Sequence, residues 1–473
     1  MPLRGIVFLA GLLLLPTLLK AQTVRVVQTT SDLQQVLAPA PDLHFEAVDT
    51  ALSPANLTLI VDDTMRYQTM DGFGASLTDG SAWLLHDRLD TQTREKVMAQ
   101  LFDPQHGIGL SFLRQPIGAS DLSREESSFD DMPAGQQDPM LAHFSVKHDE
   151  AYIFPMVREA LQLNPAITVM ATPWSPPGWM KTRPTMDGGS LRDNAMAVYA
   201  AYLTQSVEAF QAAGVPVRYL TVQNEPLHDT TDFPGTLMPA AQAKRLIGQY
   251  LGPDLRRAGL KTEILAYDHN WDHIEYPAEE LSDPAAAPFL AGSALHCYGG
   301  NAGAQTTLHD EFPNKGIWLT ECSGGTWQRE SPLFVTSHLL IDATRNWAKS
   351  VVLWGIALDT DHNPHTGGCG TCRGLVTINL QKNPAMVTYT GDFYAMGHAS
   401  KFVHPQATRI GSSSPGRDSL ESVAFQNPDR SIALLVLNNQ SSTQEFSISW
   451  HGRSFHTSLL AKTLATYLWP GAG

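Results

Sequence analysis

Between about Tyr67 and Gly397 the chain repeats one pattern: a short, almost wholly apolar run, a loop rich in Gly, Pro and Asn, then a longer stretch of helical periodicity. The runs are Ser111 to Arg114, Ile167 to Ala171, Tyr219 to Gln223, Glu263 to Tyr267, Ala294 to His296, Ile317 to Thr320 and Ser350 to Leu353. Helices such as Ala195 to Ala213 and Pro239 to Ala258 separate them. A strand without apolar/polar alternation is buried on both faces, which calls for a parallel sheet covered by helices. About eight such units in roughly 330 residues predict an α/β fold closed into a (β/α)8 TIM barrel. No G-x-G-x-x-G fingerprint supports an open, doubly wound sheet instead.

After Lys401 the period changes to two, as in Ser431 to Leu437 and Gln444 to Trp450, with turn residues at Asn427-Pro428-Asp429 and Asn438-Asn439. That alternation predicts an additional β-sandwich domain. The segment from Val24 to Met65 also lacks helical repeats, and its run Asn56 to Val61 is expected to add strands to the same sandwich. At the N-terminus, Arg4 precedes an apolar run from Gly5 to Leu15, then Pro16 and a small residue, Ala21. This is the pattern of a signal peptide too short to serve as a membrane anchor. The predicted domains are therefore a signal peptide over 1–21, an N-terminal sandwich contribution over 22–66, the barrel over 67–397 and the C-terminal sandwich over 398–473. The protein is expected to be secreted or periplasmic, without stable membrane insertion once the leader is cleaved. Asn56-Leu57-Thr58 and Asn439-Gln440-Ser441 match glycosylation sequons, which matter only in a eukaryotic secretory pathway.

A net charge of −15 without any Lys/Arg run offers no footprint for a phosphate backbone, so nucleic acid is excluded as a partner. Ten tryptophans suit stacking on a planar or sugar-like ligand, although a core position is the usual fate of a Trp. Four cysteines are too few to staple so long a chain. Cys369 and Cys372, in a C-x-x-C within a Gly-rich loop, are expected to form a local loop-stiffening disulfide. A single such pair supplies only two of the four ligands of a structural zinc, and a thioredoxin-like reading would need a different βαβ context. Cys297 and Cys322 are expected to be small buried fillers.

In a barrel of this kind the active site lies where strands open into loops at their C-terminal ends. Two glutamates stand there: Glu225, in Gln-Asn-Glu-Pro after the fourth strand, and Glu321, closing the seventh. Two carboxylates facing each other across the barrel mouth at about 5 to 5.5 Å are what a retaining glycosidase needs, one as nucleophile and the other as acid and then base.

Around this pair the chain resembles glycoside hydrolase family 30, the family of the lysosomal glucosylceramidases and their bacterial relatives. The resemblance runs from about Tyr67 to the C-terminus and rests on an ordered set of motifs. They are Met70-Asp71-Gly72-Phe73-Gly74 with Leu77-Thr78-Asp79, Leu113-Arg114 with Ala119-Ser120-Asp121, Thr172 to Lys181, Asn224-Glu225-Pro226, His296-Cys297-Tyr298, Thr320-Glu321-Cys322 and Gly397 to Phe402. It implies Glu225 as acid/base and Glu321 as nucleophile; a general acid beside a charged carboxylate is expected to have its pKa raised, toward about 6 for Glu225. Asn224 would hydrogen-bond the sugar 2-hydroxyl and Tyr298 would donate to Glu321. Asp121 would accept from sugar hydroxyls between two aromatic walls, Trp174 and Trp354. Arg114 and His296 would orient the carboxylates, and Trp179 would support the loop. Asp268-His269-Asn270 fits either a place at the rim or a structural role.

The resulting expectation is an exported retaining β-glycosidase, glucosylceramidase-like, acting on a carbohydrate or glycolipid without cofactor or metal. Long loops after Trp174 and Trp354 suggest a cleft walled at one end and exo action. The rivals are an endo-β-1,6-glucanase or β-xylosidase of the same family, and a carbohydrate-binding protein without activity, against which both glutamates, Asn224 and Tyr298 argue.

Overall fold

The computed structural model describes residues 22–47 and 57–471; the expected signal peptide and Asn56 lie outside the described residues. Eight parallel strands close into a barrel, beginning with Gly72–Ser76 and continuing through Phe112–Ile117, Thr168–Pro173, Val217–Leu220, Glu263–Asn270, Leu290–His296 and Gly316–Glu321 to Ala348–Leu353, which pairs back onto the first. The interior is filled by Phe112, Met170, Tyr219, Leu265 and Trp318 from successive strands, so the barrel is a packed core and not a pore. At its N-terminal end buried Asp71 accepts from the Tyr219 hydroxyl and the Trp318 indole, each at 2.8 Å.

The first barrel strand carries no apolar run, and its composition has a steric cause. A Cβ on Gly74 would lie 1.6 Å from the carbonyl oxygen of Phe112 on the adjoining strand. Only glycine permits that approach, so closing the barrel there requires a residue that depresses strand propensity. The helix expected over Pro239 to Ala258 is also interrupted: Ala240–Leu246 passes through a π-type turn, Ile247–Leu251, into Gly252–Arg257. Pro253 lacks the amide hydrogen and its ring crowds the carbonyl one turn back, which widens the turn.

The second domain is a ten-stranded antiparallel-rich sheet folded around its own core. Its order places Thr23–Thr30 beside Thr463–Trp469, and Thr58–Thr69 between Thr408–Ser412 and Gln444–Trp450. The N-terminal segment is thus built into the sandwich. Phe45 keys the core, 4.9 Å from Phe455 and 5.5 Å from Trp469 between ring centroids. Two expected boundaries move by a few residues. Strand Thr58–Thr69 continues past residue 66 because Thr69 still pairs with Thr408, and helix Gly391–Ser400 runs through the boundary at 397/398. That helix docks the domains: buried His398 bonds Thr466 at 2.8 Å and Thr29 at 2.9 Å. Burial lowers its imidazole to about 3, so it joins the domains as a neutral ring.

Gly74→Ala should destabilise the protein by at least about 3 kcal/mol, because the clash is with backbone that cannot yield without opening the barrel. Urea unfolding followed by tryptophan fluorescence would measure it.

Candidate active site

Five strand ends meet at the C-terminal mouth of the barrel around one fully buried carboxylate, Asp268 of the fifth strand. It accepts from Arg114 at 2.8 Å, Thr172 at 2.8 Å, Thr221 at 2.9 Å, His296 at 3.0 Å and Thr320 at 2.6 Å. Burial alone would raise the Asp268 pKa; the Arg114 charge, then His296 and Thr320, instead hold it far below the carboxylate range. Asp268 is therefore a fixed negative charge at the centre of the site and not a rim residue. The sequence places Asp268 past the fifth strand with a rim or a structural role open, and the structure gives it the central, buried one, between the threonines of three other strands.

From this hub the charges radiate outward. Arg114, itself fully buried, donates through Nη2 to Asp268 and to Asn224 Oδ1 at 2.7 Å, and through Nη1 to Glu321 Oε2 at 2.5 Å. Asn224 is thereby turned so that its amide NH2 is left for the cleft. Tyr298, with 44% of its surface exposed at the mouth, donates its hydroxyl to Glu321 Oε1 at 2.8 Å. Each oxygen of Glu321 thus receives a donor.

His296 spans the other side, with Nε2 on Asp268 and Nδ1 on Glu225 Oε1 at 3.1 Å. Burial would lower its pKa, but the Glu321 charge and the bonds to Asp268 and Glu225 raise it to about 9. His296 is an imidazolium at neutral pH, donating from both nitrogens.

Glu225 sits in a left-handed backbone conformation, φ 45°, which is uncommon for a residue with a side chain. Its amide is tied to the Asp268 carbonyl at 3.0 Å and that of Asn224 to the Pro173 carbonyl at 2.8 Å, so neighbouring strands enforce the strain. Carboxylate oxygens of Glu225 and Glu321 come within 4.8 Å of each other. Burial presses both upward in pKa. At Glu225 the His296 bond and charge, helped by His269 and His228, outweigh burial and hold the carboxyl below its ordinary value. At Glu321 burial and the Glu225 charge leave it above, despite His296 and Arg114. This reverses the expectation of a raised Glu225 in the resting site, and the cause is the charged His296 against it. One atom each of Glu225, His296 and Glu321 lie within 4.8 Å of one another, close enough to converge on a metal ion, although both His296 nitrogens are already engaged, by Glu225 and by Asp268.

Asp121, Trp174 and Trp354 line the same cavity of about 440 Å³ as the two glutamates, Asn224 and Tyr298. The tryptophans form one stacked pair and not two separate walls. Their rings stack at 4.8 Å with a 22° tilt and only 2% and 3% exposure, and the Arg114 guanidinium lies 4.7 Å from the Trp174 ring. Burial, then the Glu321 charge, raises Asp121 to about 7, so below that pH it can donate to a hydroxyl as well as accept. The loop after Trp354 packs against Asp121: a Cβ on Gly368 would lie 2.6 Å from that of Asp121. Trp179 donates its indole N–H to Asp130 and braces a loop outside the cavity.

The cysteines depart from expectation. Cys369 and Cys372 are joined, and Cys297 and Cys322 are also joined to each other instead of filling space separately. The latter bond links the residue between His296 and Tyr298 to the residue after Glu321, clamping the sixth and seventh strand ends together. Spacing of 25 residues in sequence hides the pair; only the barrel's strand adjacency brings it to 5.3 Å between Cα atoms. His269, of the Asp268-His269-Asn270 run, lies 3.8 Å from Glu225, and His228, Phe233 and Trp327, which the sequence did not mark, also line the cavity.

Paired carboxylates at the C-terminal mouth of a (β/α)8 barrel, beside a stacked pair of indoles, define a glycosidase acting on O-glycosyl bonds. Residues 70–403 match the glycosyl hydrolase family 30 TIM-barrel domain and residues 406–467 the family's beta sandwich domain, so the chain belongs to glycosyl hydrolase family 30. It is 32% identical over 439 residues to an endo-1,6-beta-D-glucanase of Neurospora crassa, covering 88% of each chain. It is 27% identical over 465 residues to the lysosomal acid glucosylceramidase of Mus musculus, covering 90% of this chain and 86% of that one. The solved structure of an endo-beta1,6-glucanase superposes with a TM-score of 0.87 at 30% identity, covering 95% of this chain and 99% of that one.

The raised pKa of His296 carries a stability signature. A group raised from 6.5 to about 9 by folding contributes fully below pH 6.5, and its contribution is lost as pH rises through 9. The difference in unfolding free energy between wild type and His296→Gln should therefore shrink by about 3 kcal/mol across that window. Urea titrations at a series of pH values would measure it; a difference independent of pH would contradict a charged His296.

Proposed function

We propose that this protein is an exported endo-β-1,6-glucanase that cleaves with retention of configuration. The observation that carries the substrate is what lies beyond the carboxylates. Past Tyr298, Ser323 and Trp327 the cleft continues into a second cavity of about 600 Å³ bordered by Asn301, Gln328, Glu330 and Arg417. These polar groups can hydrogen-bond further sugars, and the apolar residues between them, Trp271, Val335 and Leu339, can pack against sugar C–H faces. The similarity to endo-1,6-beta-glucanases at about 30% identity, over most of each chain, supports the same reading.

The separation of the glutamate oxygens, within 4.8 Å, suits a nucleophile and an acid/base on one bond and leaves no room for the water of an inverting enzyme. Glu321 attacks the anomeric carbon, forming a glycosyl ester as the bond to the departing oxygen breaks. Glu225 donates the proton that this oxygen takes. That proton reaches Glu225 from His296 along their hydrogen bond when bound sugar expels water, because a neutral Glu225–His296 pair is less penalised by desolvation than the ion pair. Neutralising Glu225 also removes the charge that presses Glu321 upward, leaving Arg114 and Tyr298 to hold the nucleophile ionised. Water, deprotonated by Glu225, then releases the sugar. Export rests on the leader pattern of the first 21 residues and on two disulfides, which persist in oxidising compartments. No helix among the described residues is long and apolar enough to cross a membrane.

A second reading, hydrolysis of a glucosylated lipid, is favoured by the similarity to glucosylceramidases. Digestion of a linear β-1,6-glucan separates the two. Short oligosaccharides should accumulate before glucose, with new reducing ends first seen as the β anomer by proton NMR. Glucose as the sole early product would mean exo action, an initial α anomer would exclude retention, and an inert glucan with a cleaved glucosylceramide would establish the second reading.

A further inference from the structure

Trp327 is an anomaly among the tryptophans: 54% of it is exposed, yet it is rigidly held. Its ring lies so close over Gly325 that a Cβ there would stand 1.9 Å from it. The loop carrying it is pinned to the Cys369–Cys372 loop. Thr326 N donates to the Thr371 carbonyl at 3.2 Å, Arg373 N to the Gly324 carbonyl at 2.8 Å, and the Arg373 guanidinium to the Gly325 carbonyl at 3.0 Å. Ser323 Oγ donates to Cys372 Sγ at 3.0 Å. The C-x-x-C disulfide thus stiffens the support of an exposed indole.

That indole borders both cavities, the one holding the glutamates and the one beyond. The Gly368 loop packs against Asp121 on one side of the first cavity, so a sugar bound beside the Trp174–Trp354 pair has its leaving group facing Tyr298 and Trp327 on the other. The far wall of the second cavity comes partly from the other domain. Arg417, in the loop after sandwich strand Thr408–Ser412, reaches Asp342 of helix Pro332–Arg345 at 2.8 Å and remains 64% exposed along its side chain. The domains are locked beside it: Arg345 donates to the Ser412 and Ser422 carbonyls, each at 3.0 Å, and His338 meets Glu421 at 2.8 Å. The Cys297–Cys322 bond lines the second cavity.

We propose that this second cavity is the leaving-group subsite, in which Trp327 stacks on the first glucosyl residue beyond the cleaved bond and Arg417 of the sandwich domain hydrogen-bonds a later one. The assignment rests on the β-1,6-glucanase reading above. An aromatic face matches the axial C–H face of a β-glucosyl ring, and a planar guanidinium matches a pair of adjacent hydroxyls. Because the indole is fixed before substrate arrives, little ordering cost is charged against the contact. The sandwich then has a direct role in substrate recognition.

The test compares β-1,6-linked gluco-oligosaccharides of increasing length with β-glucosyl fluoride, whose single-atom leaving group does not reach this cavity. In the wild type kcat/KM should rise with chain length. In Trp327→Ala the ratio of kcat/KM on the oligosaccharides to that on the fluoride should fall by at least about tenfold, and Trp327→Phe should recover part of it. Arg417→Ala should lower kcat/KM several-fold only for the longer oligosaccharides. Trp327 is a surface residue, so circular dichroism should be unchanged in its variants. If wild type cleaves the glucan and the ratio in Trp327→Ala equals that of wild type, the subsite is wrong while the functional reading stands. If wild type cleaves no β-1,6-linked substrate, both fall.

Discussion

Everything at the mouth of this barrel depends on one guanidinium. Arg114 is wholly buried, and burying an unpaired cation so deeply would be prohibitive. It is tolerated because Asp268 and Glu321 surround it, and they are tolerated because it is there. Asp268 in turn carries His296, whose charge steadies Glu225. Two cations thus balance three carboxylates in a chain of contacts no longer than 3.1 Å, so moving one proton changes the state of every member. This arrangement lets two glutamates share a small space and still differ: Glu321 has its donors fixed, whereas Glu225 has a partner that can give its proton away.

The architecture was largely legible because it rests on periodicity. Seven of the eight barrel strands announce themselves as apolar runs, and the change to alternation after Lys401 announces the sandwich. The strand that escapes, Gly72–Ser76, does so for a physical reason, since the approach of Phe112 forces glycine where a β-branched residue would have been diagnostic. The glutamates were legible because a barrel puts its chemistry at strand ends, a rule that converts sequence position into spatial position.

What escaped was pairwise contact between distant segments. The Cys297–Cys322 bond, the hub role of Asp268 and the charge on His296 all arise from strands that neighbour in space and not in sequence. The stacking of Trp174 directly on Trp354 belongs with them, because each residue alone is compatible with a wall, a floor or a core position. Trp327 was invisible for another reason: nothing in Gly-Gly-Thr-Trp distinguishes an indole held over a glycine from one buried beneath it.

The central claim is that Glu321 bonds to the sugar while Glu225 handles the proton. A dinitrophenyl β-glucoside carrying fluorine in place of the hydroxyl next to the anomeric carbon tests it directly. The fluorine destabilises the positively charged transition states of both steps, and the good leaving group keeps the first fast enough for the covalent intermediate to accumulate. Peptide mass mapping of the stopped enzyme should place the sugar as an ester on Glu321. A label on Glu225, or turnover through no covalent intermediate, would contradict the account.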